Sequence, residues 1–544
     1  MTRREAWASA GLVFLVALAV RVLFARTLPF ATPEDTTYYV SVARNLVDGR
    51  GLVSDAIWSY GTPPLTFPRP AFEVWLPLPT LLAVPAMAVL GTTFDAAKVM
   101  AVLIGAVVPV LAWRLAADVA EERRMPVVRG RVLALGAGLT AAVELPLVLF
   151  GSLPDSSMLF ALLVLLACLL MTRILAHPGA LEGGTLRDRR VLALGLVLGL
   201  AALTRNEAAW LALTWALLAW RWGPGGSRLG LVIVPAAVSL LIVAPWGIRD
   251  WVAFGNPLPG QALTNALSVT GFDIFAWHDQ PTVARYLAIG PARLAGLRLE
   301  GLVHDLFNVL IVPGFPVALI GLIALPWYGR ARSLRPLLLV SVITFLVATL
   351  AFPVSTTWGT YLHASIAAQV LLIISCLLAL DALIVRVGAW RGWTRPVAWL
   401  GPALTISACL LFSATLITYS RQATDVEARY RLLGERMAAL GRPLDASAGP
   451  ILTDHPIWLA ESARIPTLAL PDEPPMDVLD LVSAFPGTRY LVVSSEDHGR
   501  WPAVLDSDAP GVDCFRELDL GPPPIDPDSA RALGATRVFE IGCP

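Results

Sequence analysis

Two adjacent acids open the first polar stretch of a very apolar chain. Glu34 and Asp35 lie in Thr32-Pro33-Glu34-Asp35, just past the first hydrophobic run. A carboxylate at a membrane edge can take a proton from a hydroxyl, or it can simply favour a helix N-terminus. The stretch reads as a helix start, with Thr32 as N-cap, Pro33 at the first helical position and Asp35 as the capping-box residue. Tyr39, Val42, Ala43 and Leu46 then share a face, and Gly49 and Gly51 stop the helix. One acid is enough for a cap, so the pair is a candidate for chemistry. Asp155, in GSLPDSS, is a third acid at an interface, whereas Glu144 lies deeper and reads as a packing or helix-contact acid.

Arginines supply the complementary charge. Arg21, Arg26, Arg69, Arg205 and Arg249 sit at the ends of apolar runs that carry the acids. Each has an ordinary explanation, a long side chain snorkelling to the interface. A forked guanidinium also suits phosphate, and Arg69, Arg205 and Arg249 are the candidates for that role. Trp58, Tyr60, Trp75, Trp251 and Trp277 read as interfacial aromatics, with sugar stacking as the alternative for one or two of them. His278 and His363 are isolated, and no three-ligand spacing for a metal is visible, so a divalent metal is neither called for nor ruled out.

These residues are carried by a membrane framework. Of the 544 residues, 56% are hydrophobic and 15% charged, and the mean hydropathy is +0.67. Such a composition belongs to a polytopic α-helical membrane protein. The formal net charge is zero, which argues against a nucleic-acid partner. Apolar runs of spanning length lie at about 7–25, 95–117, 132–150, 157–174, 191–204, 208–221, 229–247, 303–325, 336–353, 362–384 and 397–419, giving eleven candidates. The fifth and sixth are short and hinge at Thr204-Arg205-Asn206-Glu207. The run 74–91 contains Pro77, Pro79 and Pro85 and is expected to lie half-embedded beside the membrane.

Arginine placement orients the spans. With the N-terminus inside, the inner loops contain Arg123, Arg124, Arg129 and Arg131; Arg173, Arg187, Arg189 and Arg190; Arg221 and Arg228; Arg330, Arg332 and Arg335; and Arg386, Arg391 and Arg395. The longer outer loops hold Glu34, Asp35, Asp155 and Glu207. This alternation supports eleven crossings, with the C-terminus outside the cytoplasm. The first outer loop then covers about 26–94. After about residue 420 the pattern becomes strand, helix, strand, helix, strand, with β-rich runs at Ile451–Thr453, Thr467–Leu470 and Tyr490–Val493. We therefore expect a membrane domain over 1–420 and a small extracytoplasmic α/β domain over 421–544. Cys514 and Cys543 lie in the latter and are expected to pair, whereas Cys168, Cys376 and Cys409 read as buried packing residues.

In order and topology these segments resemble the GT-C glycosyltransferases that use a polyprenyl-phosphate-linked sugar, such as protein O-mannosyltransferases and lipid A aminoarabinose transferases. PEDTTYYVSVARNLVDGRG is similar to a first loop with P-D-E-x-x-Y and an amphipathic helix ending in glycine, and PRPAFEVWLPLP to a proline-rich juxtamembrane segment. GLAALTRNEAAW, APWGIRDWVAFGNPLP and TTWGTYLHAS also look like family segments.

The resemblance implies an inverting sugar transfer on the extracytoplasmic side of the plasma membrane. The donor is a polyprenyl-phosphate sugar and the acceptor a protein, lipid or glycan of the cell envelope. It implies Glu34, Asp35 and Asp155 as catalytic acids, and Tyr38, Arg69, Glu73, Arg205, Arg249, Tyr361 and His363 as substrate-binding residues. The acid order is reversed here. Alignment favours Glu34 as the base and side-chain type favours Asp35, while a capping box that folds Asp35 back would leave Glu34 free. Glu73 stands where the family often has an apolar residue. Two other classes compete. A transporter or lipid flippase would show mid-membrane acids and internal repeats, and no repeat is seen; a membrane-anchored assembly protein would leave the first-loop acids dispensable.

Overall fold

A computed structural model describes residues 2–177, 184–394, 397–494 and 499–543, without the side chain of Ala446. Arg395 of the expected inner-loop cluster lies outside the described residues. The structure is mostly helical. Among the described residues, six helices are long and apolar enough to cross a membrane: Arg3–Ala25, Phe94–Glu122, Ser156–Ala176, Gly225–Phe254, Ile366–Trp390 and Leu400–Ala439. The other expected spans are shorter or interrupted. Arg189–Ala202 and Ala208–Trp222 are separated at residues 203–207, where the sequence places the hinge. The run 303–325 starts at the end of Gly290–His304, passes through a π-helical segment at Asp305–Ile311 and resumes at Val317–Tyr328. Leu78–Leu90 tolerates Pro85 within it and has 13 residues, about 20 Å, too short for a hydrocarbon core of about 30 Å.

Glu144 divides the expected span 132–150 into Val127–Val143 and Leu145–Phe150. Pro146 has no N–H for the carbonyl of Ala142, four residues before it. Arg21 supplies the missing donor. Its Nη1 donates to Ala142 O at 3.2 Å and its Nη2 to Leu147 O at 2.9 Å. Arg21 is fully buried, so it mends a helix break inside the bundle and does not snorkel. The only lysine, Lys98, likewise serves a helix end, donating to Ala25 O at 2.7 Å and Leu28 O at 2.9 Å.

The first loop and the chain beyond residue 440 share one sheet. Across its six strands the order is Ala56–Ile57, Thr467–Ala469, Ile451–Thr453, Tyr490–Val493, Arg537–Ile541, Phe515–Glu517. The first four are parallel and the last two pair antiparallel. The edge strand therefore comes from the first loop, some 400 residues before its partner by numbering. The continuous helical stretch Leu400–Ala439 passes straight through residue 420. Aromatics knit the loop to this unit. Tyr60 and Phe67 meet Phe485 with ring centroids 6.5 and 6.1 Å apart, while within the loop Tyr38 and Trp75 lie 4.2 Å apart and Trp58 and Trp75 4.8 Å. Tyr60 and Trp75 are buried core; Trp251 is exposed, as an interfacial residue would be.

Cys514 and Cys543 form a disulfide, and Cys168, Cys376 and Cys409 are free and buried. The bond ties the start of strand Phe515–Glu517 to the tail that follows Arg537–Ile541. Reduction is expected to destabilise this part by about 2–4 kcal/mol, read as a lower thermal midpoint with reductant. An unchanged midpoint with both thiols alkylated would contradict this.

Candidate active site

Four separate segments deliver a cluster of acids, histidine and arginine. Asp35 lies in the first turn of helix Glu34–Val47, which ends in Gly49 at φ +79°, a conformation that favours glycine. Asp155 is the N-cap of Ser156–Ala176, its Oδ1 accepting the Ser157 N–H at 2.7 Å. Arg205 comes from the break at residues 203–207, and His363 from the short helix Thr360–Ala364.

His363 stands between the two aspartates. Its Nε2 is 3.4 Å from Asp35 Oδ2, and its Nδ1 is 2.7 Å from Ser157 Oγ and 3.9 Å from Asp155 Oδ2. Arg205 Nη1 donates to Ser156 Oγ at 2.8 Å. The rest of its guanidinium forks onto Glu207, at 3.1 and 2.8 Å, and reaches Thr360 O at 3.2 Å. Burial lowers the pKa of His363, with Asp35 acting in the opposite sense, so the imidazole is neutral near pH 7. Burial raises Asp155 to about 7; hydrogen bonds from Ser157 oppose this and the charge of Asp35 adds to it. Asp35 keeps 29% of its side chain exposed whereas Asp155 has none. The accessible carboxylate of the cluster is thus Asp35.

The raised Asp155 pKa has a consequence for stability. Between about pH 4, where an unfolded aspartate titrates, and about 7, the folded chain holds a proton that the unfolded chain has lost. This contribution is fully present below the lower value and is lost as pH rises through the upper one. Asp155→Asn keeps a good N-cap, so the variant should lack this decline. Thermal midpoints of both proteins from pH 4 to 8 check it; parallel profiles would contradict it.

Glu34 faces elsewhere. The Ile457 N–H donates to Glu34 Oε1 at 3.1 Å, and His455 Nδ1 lies 3.6 Å from its Oε2. Glu34 thus serves the N-terminus of helix Pro456–Ala463 beside the sheet. Pro33, not Thr32, is the N-cap residue, and no side chain caps the helix. The expected capping box is absent because Pro33 occupies the N-cap position, with neither a side-chain acceptor nor an N–H for a box residue to bind. The first-loop helix is further pinned by the ion pair of Arg44 with Glu461.

The remaining expected residues do not all converge. Tyr38 is buried, and its Oη accepts the Phe72 N–H at 2.6 Å. Arg69 is fully buried, donating to Ser59 O at 2.6 Å and Thr62 O at 2.7 Å, with Glu73 Oε1 at 3.4 Å. Those contacts make Arg69 and Glu73 a buried strut of the loop. Arg249 pairs with Asp250 at 2.8 Å and lies over the Trp246 ring at 4.9 Å. Tyr361 is buried against Phe345, ring centroids 5.6 Å apart.

Sequence reasoning missed Tyr39, Ser156, Ser157, Glu207 and Thr360. The signal for Tyr39 was present. It lies four residues after Asp35, on the same helical face, as Tyr38 does after Glu34. Its buried phenol is pushed up in pKa by burial and by Asp35, with Arg205 and Ser156 opposing. Among the described residues no group of three or more His, Cys, Asp or Glu side chains is placed to hold a metal ion.

The arrangement of helices matches known structures. ArnT from Cupriavidus metallidurans bound to undecaprenyl phosphate superposes with a TM-score of 0.57 and 13% identity, over 98% of each chain. The fold is GT-C. The archaeal oligosaccharyltransferase AglB from Archaeoglobus fulgidus, in complex with an inhibitory peptide and a dolichol-phosphate, matches at TM-score 0.53 and 13% identity, over 94% of this chain and 72% of its own. No protein-family model matches the sequence, and no curated protein matches it. At this identity the likeness carries the GT-C fold and nothing about individual residues. The acid cluster is therefore described by its own geometry.

Proposed function

We propose that this GT-C chain is an inverting glycosyltransferase that moves a sugar from a polyprenyl-phosphate donor to an acceptor hydroxyl at the membrane surface. The observation that carries the reading is the cluster itself. A partly exposed Asp35 is backed by a neutral His363 and by a buried Asp155, with Arg205 alongside. Two structural neighbours hold polyprenyl phosphates, undecaprenyl phosphate in ArnT and dolichol-phosphate in AglB.

In this mechanism Asp35 takes the proton of the acceptor hydroxyl while that oxygen attacks the anomeric carbon. The bond from that carbon to the phosphate oxygen breaks, and its electron pair leaves with the polyprenyl phosphate. Arg205, at the same cluster, is the cation available to the leaving phosphate. Asp155 and His363 hold Asp35 in place, while Glu34 holds its helix against the sheet. One direct displacement inverts the configuration, and no covalent enzyme intermediate is needed.

The proposal includes orientation. Eleven crossings, with the Arg123–Arg131 loop inside, put the first loop, the cluster and the 421–544 part on the extracytoplasmic face of the plasma membrane, supported by the arginine alternation. The acceptor is a protein, lipid or glycan of that face. The test uses full-length protein in lipid nanodiscs, labelled undecaprenyl-phosphate hexose or pentose, and cell-envelope extract as acceptor. We expect label to leave the lipid with inverted anomeric configuration. Failure to release undecaprenyl phosphate from any such donor would refute the reading.

A further inference from the structure

We propose that the pocket bounded by His304, Asn308 and Trp358 seats the sugar ring of the lipid-linked donor, an inference that rests on the transferase reading above. The pocket has a volume of ≈ 390 Å³, within the range of about 300–1,000 Å³ usual for small-ligand sites. One wall is the π-helical segment Asp305–Ile311 and the residue before it. Such segments are rare in ordinary helices and recur at functional sites. Here it carries polar side chains into an otherwise apolar run. His304 Nδ1 lies 3.2 Å from Asp305 Oδ1, and Thr356 Oγ1 donates to Asp305 Oδ2 at 2.6 Å. That fixes the imidazole by one nitrogen and leaves the other for a ligand. Asn308 is exposed, and its side chain makes no hydrogen bond to the described residues.

The lining also includes an aromatic platform. Trp358 is 53% exposed, yet it is braced. Phe272 meets it edge-on with ring centroids 5.2 Å apart, and Phe275 at 6.1 Å. A Cβ at Gly271 would come within 1.6 Å of the indole Nε1, so only glycine lets the indole lie where it does. A half-exposed, braced indole that shares a pocket with an amide and an imidazole matches a sugar. The C–H face of the ring lies on the indole, and its hydroxyls reach Asn308 and His304. No arginine or lysine lines the pocket, so it does not suit the phosphate; only Val309 and Leu362 are plainly aliphatic, so it does not suit the lipid tail.

The pocket also abuts the acid cluster. Gly359, at φ +112°, forms part of the wall. A Cβ there would lie 3.7 Å from His363 Nε2, the atom that is 3.4 Å from Asp35 Oδ2. A ring seated on Trp358 is thus separated from the base by one glycine and one imidazole.

The test compares the affinity of the full chain in nanodiscs for undecaprenyl phosphate with its affinity for undecaprenyl-phosphate glucose, mannose and arabinose. At least one sugar-bearing lipid should bind about tenfold more tightly than undecaprenyl phosphate, the increment of one or two hydrogen bonds. In Trp358→Ala and in Asn308→Ala that ratio should fall towards one while undecaprenyl-phosphate affinity stays unchanged. Trp358→Phe should retain part of it. The pocket assignment is overturned if the lipid phosphate binds but no sugar adds affinity, or if the ratio survives in both alanine variants. If undecaprenyl phosphate itself fails to bind, the transferase reading falls and the assignment falls with it.

Discussion

Asp35→Asn should cut turnover of a lipid-linked sugar by about 10²–10⁴-fold, the range for losing a positioned general base, while folding and donor binding stay close to wild type. The side chains are nearly isosteric, and Asp35 makes no cap that the substitution would remove. Glu34→Gln should behave differently. It weakens the contacts with the Ile457 N–H and His455, an effect of about 0.5–2 kcal/mol on stability if it resembles the loss of a helix cap. Turnover per folded molecule should change far less than in the Asp35 variant. Rates measured with thermal midpoints on both proteins separate the roles. A larger loss of turnover in Glu34→Gln than in Asp35→Asn would return the base to Glu34, and wild-type turnover in both would reject the mechanism.

Arg69→Met should destabilise the protein more than the same change at Arg205 or Arg249. Arg69 has no exposed surface, and its guanidinium holds the carbonyls of Ser59 and Thr62 beside the carboxylate of Glu73. Removing it leaves Glu73, itself buried, without its cation. Breaking a buried pair from one side costs about 3–5 kcal/mol, whereas replacing both partners by apolar residues is often close to neutral. The double variant Arg69→Met, Glu73→Met should therefore recover much of the midpoint lost in Arg69→Met. This non-additivity is the signature of a pair in contact. The alternative, a donor-phosphate clamp, predicts the reverse pattern: a folded Arg69→Met protein that binds donor poorly, with no rescue by the second change.

Much of this protein is legible in its sequence because much of it is local. Runs of apolar residues mark the helices, and the polar break at residues 203–207 marks the hinge between two of them. Gly49 and Gly51 end the first-loop helix because positive φ favours glycine. Three strands of the sheet announce themselves as short β-rich runs. Two cysteines outside the apolar segments found each other. The edge strand Ala56–Ile57 left no such trace: two residues carry no periodicity, and the pairing exists only because a partner strand lies beside them.

The site divides along the same line. Sequence by itself placed two acids at a helix start, an arginine in a break and an isolated histidine at the start of an apolar run, since composition and spacing are enough for that. It could not decide between Glu34 and Asp35. Consecutive residues on a helix point about 100° apart, so the two acids necessarily face different neighbours. Those neighbours are His455 for one and His363 for the other, and both arrive from segments more than 300 residues away. The same holds for the arginines. Arg21, Arg69 and Arg205 are alike as residues at the ends of apolar runs. Only tertiary packing makes the first a repair of a helix break, the second a buried strut and the third a member of the acid cluster, because a guanidinium takes its role from the acceptors that the fold brings within about 3 Å of it.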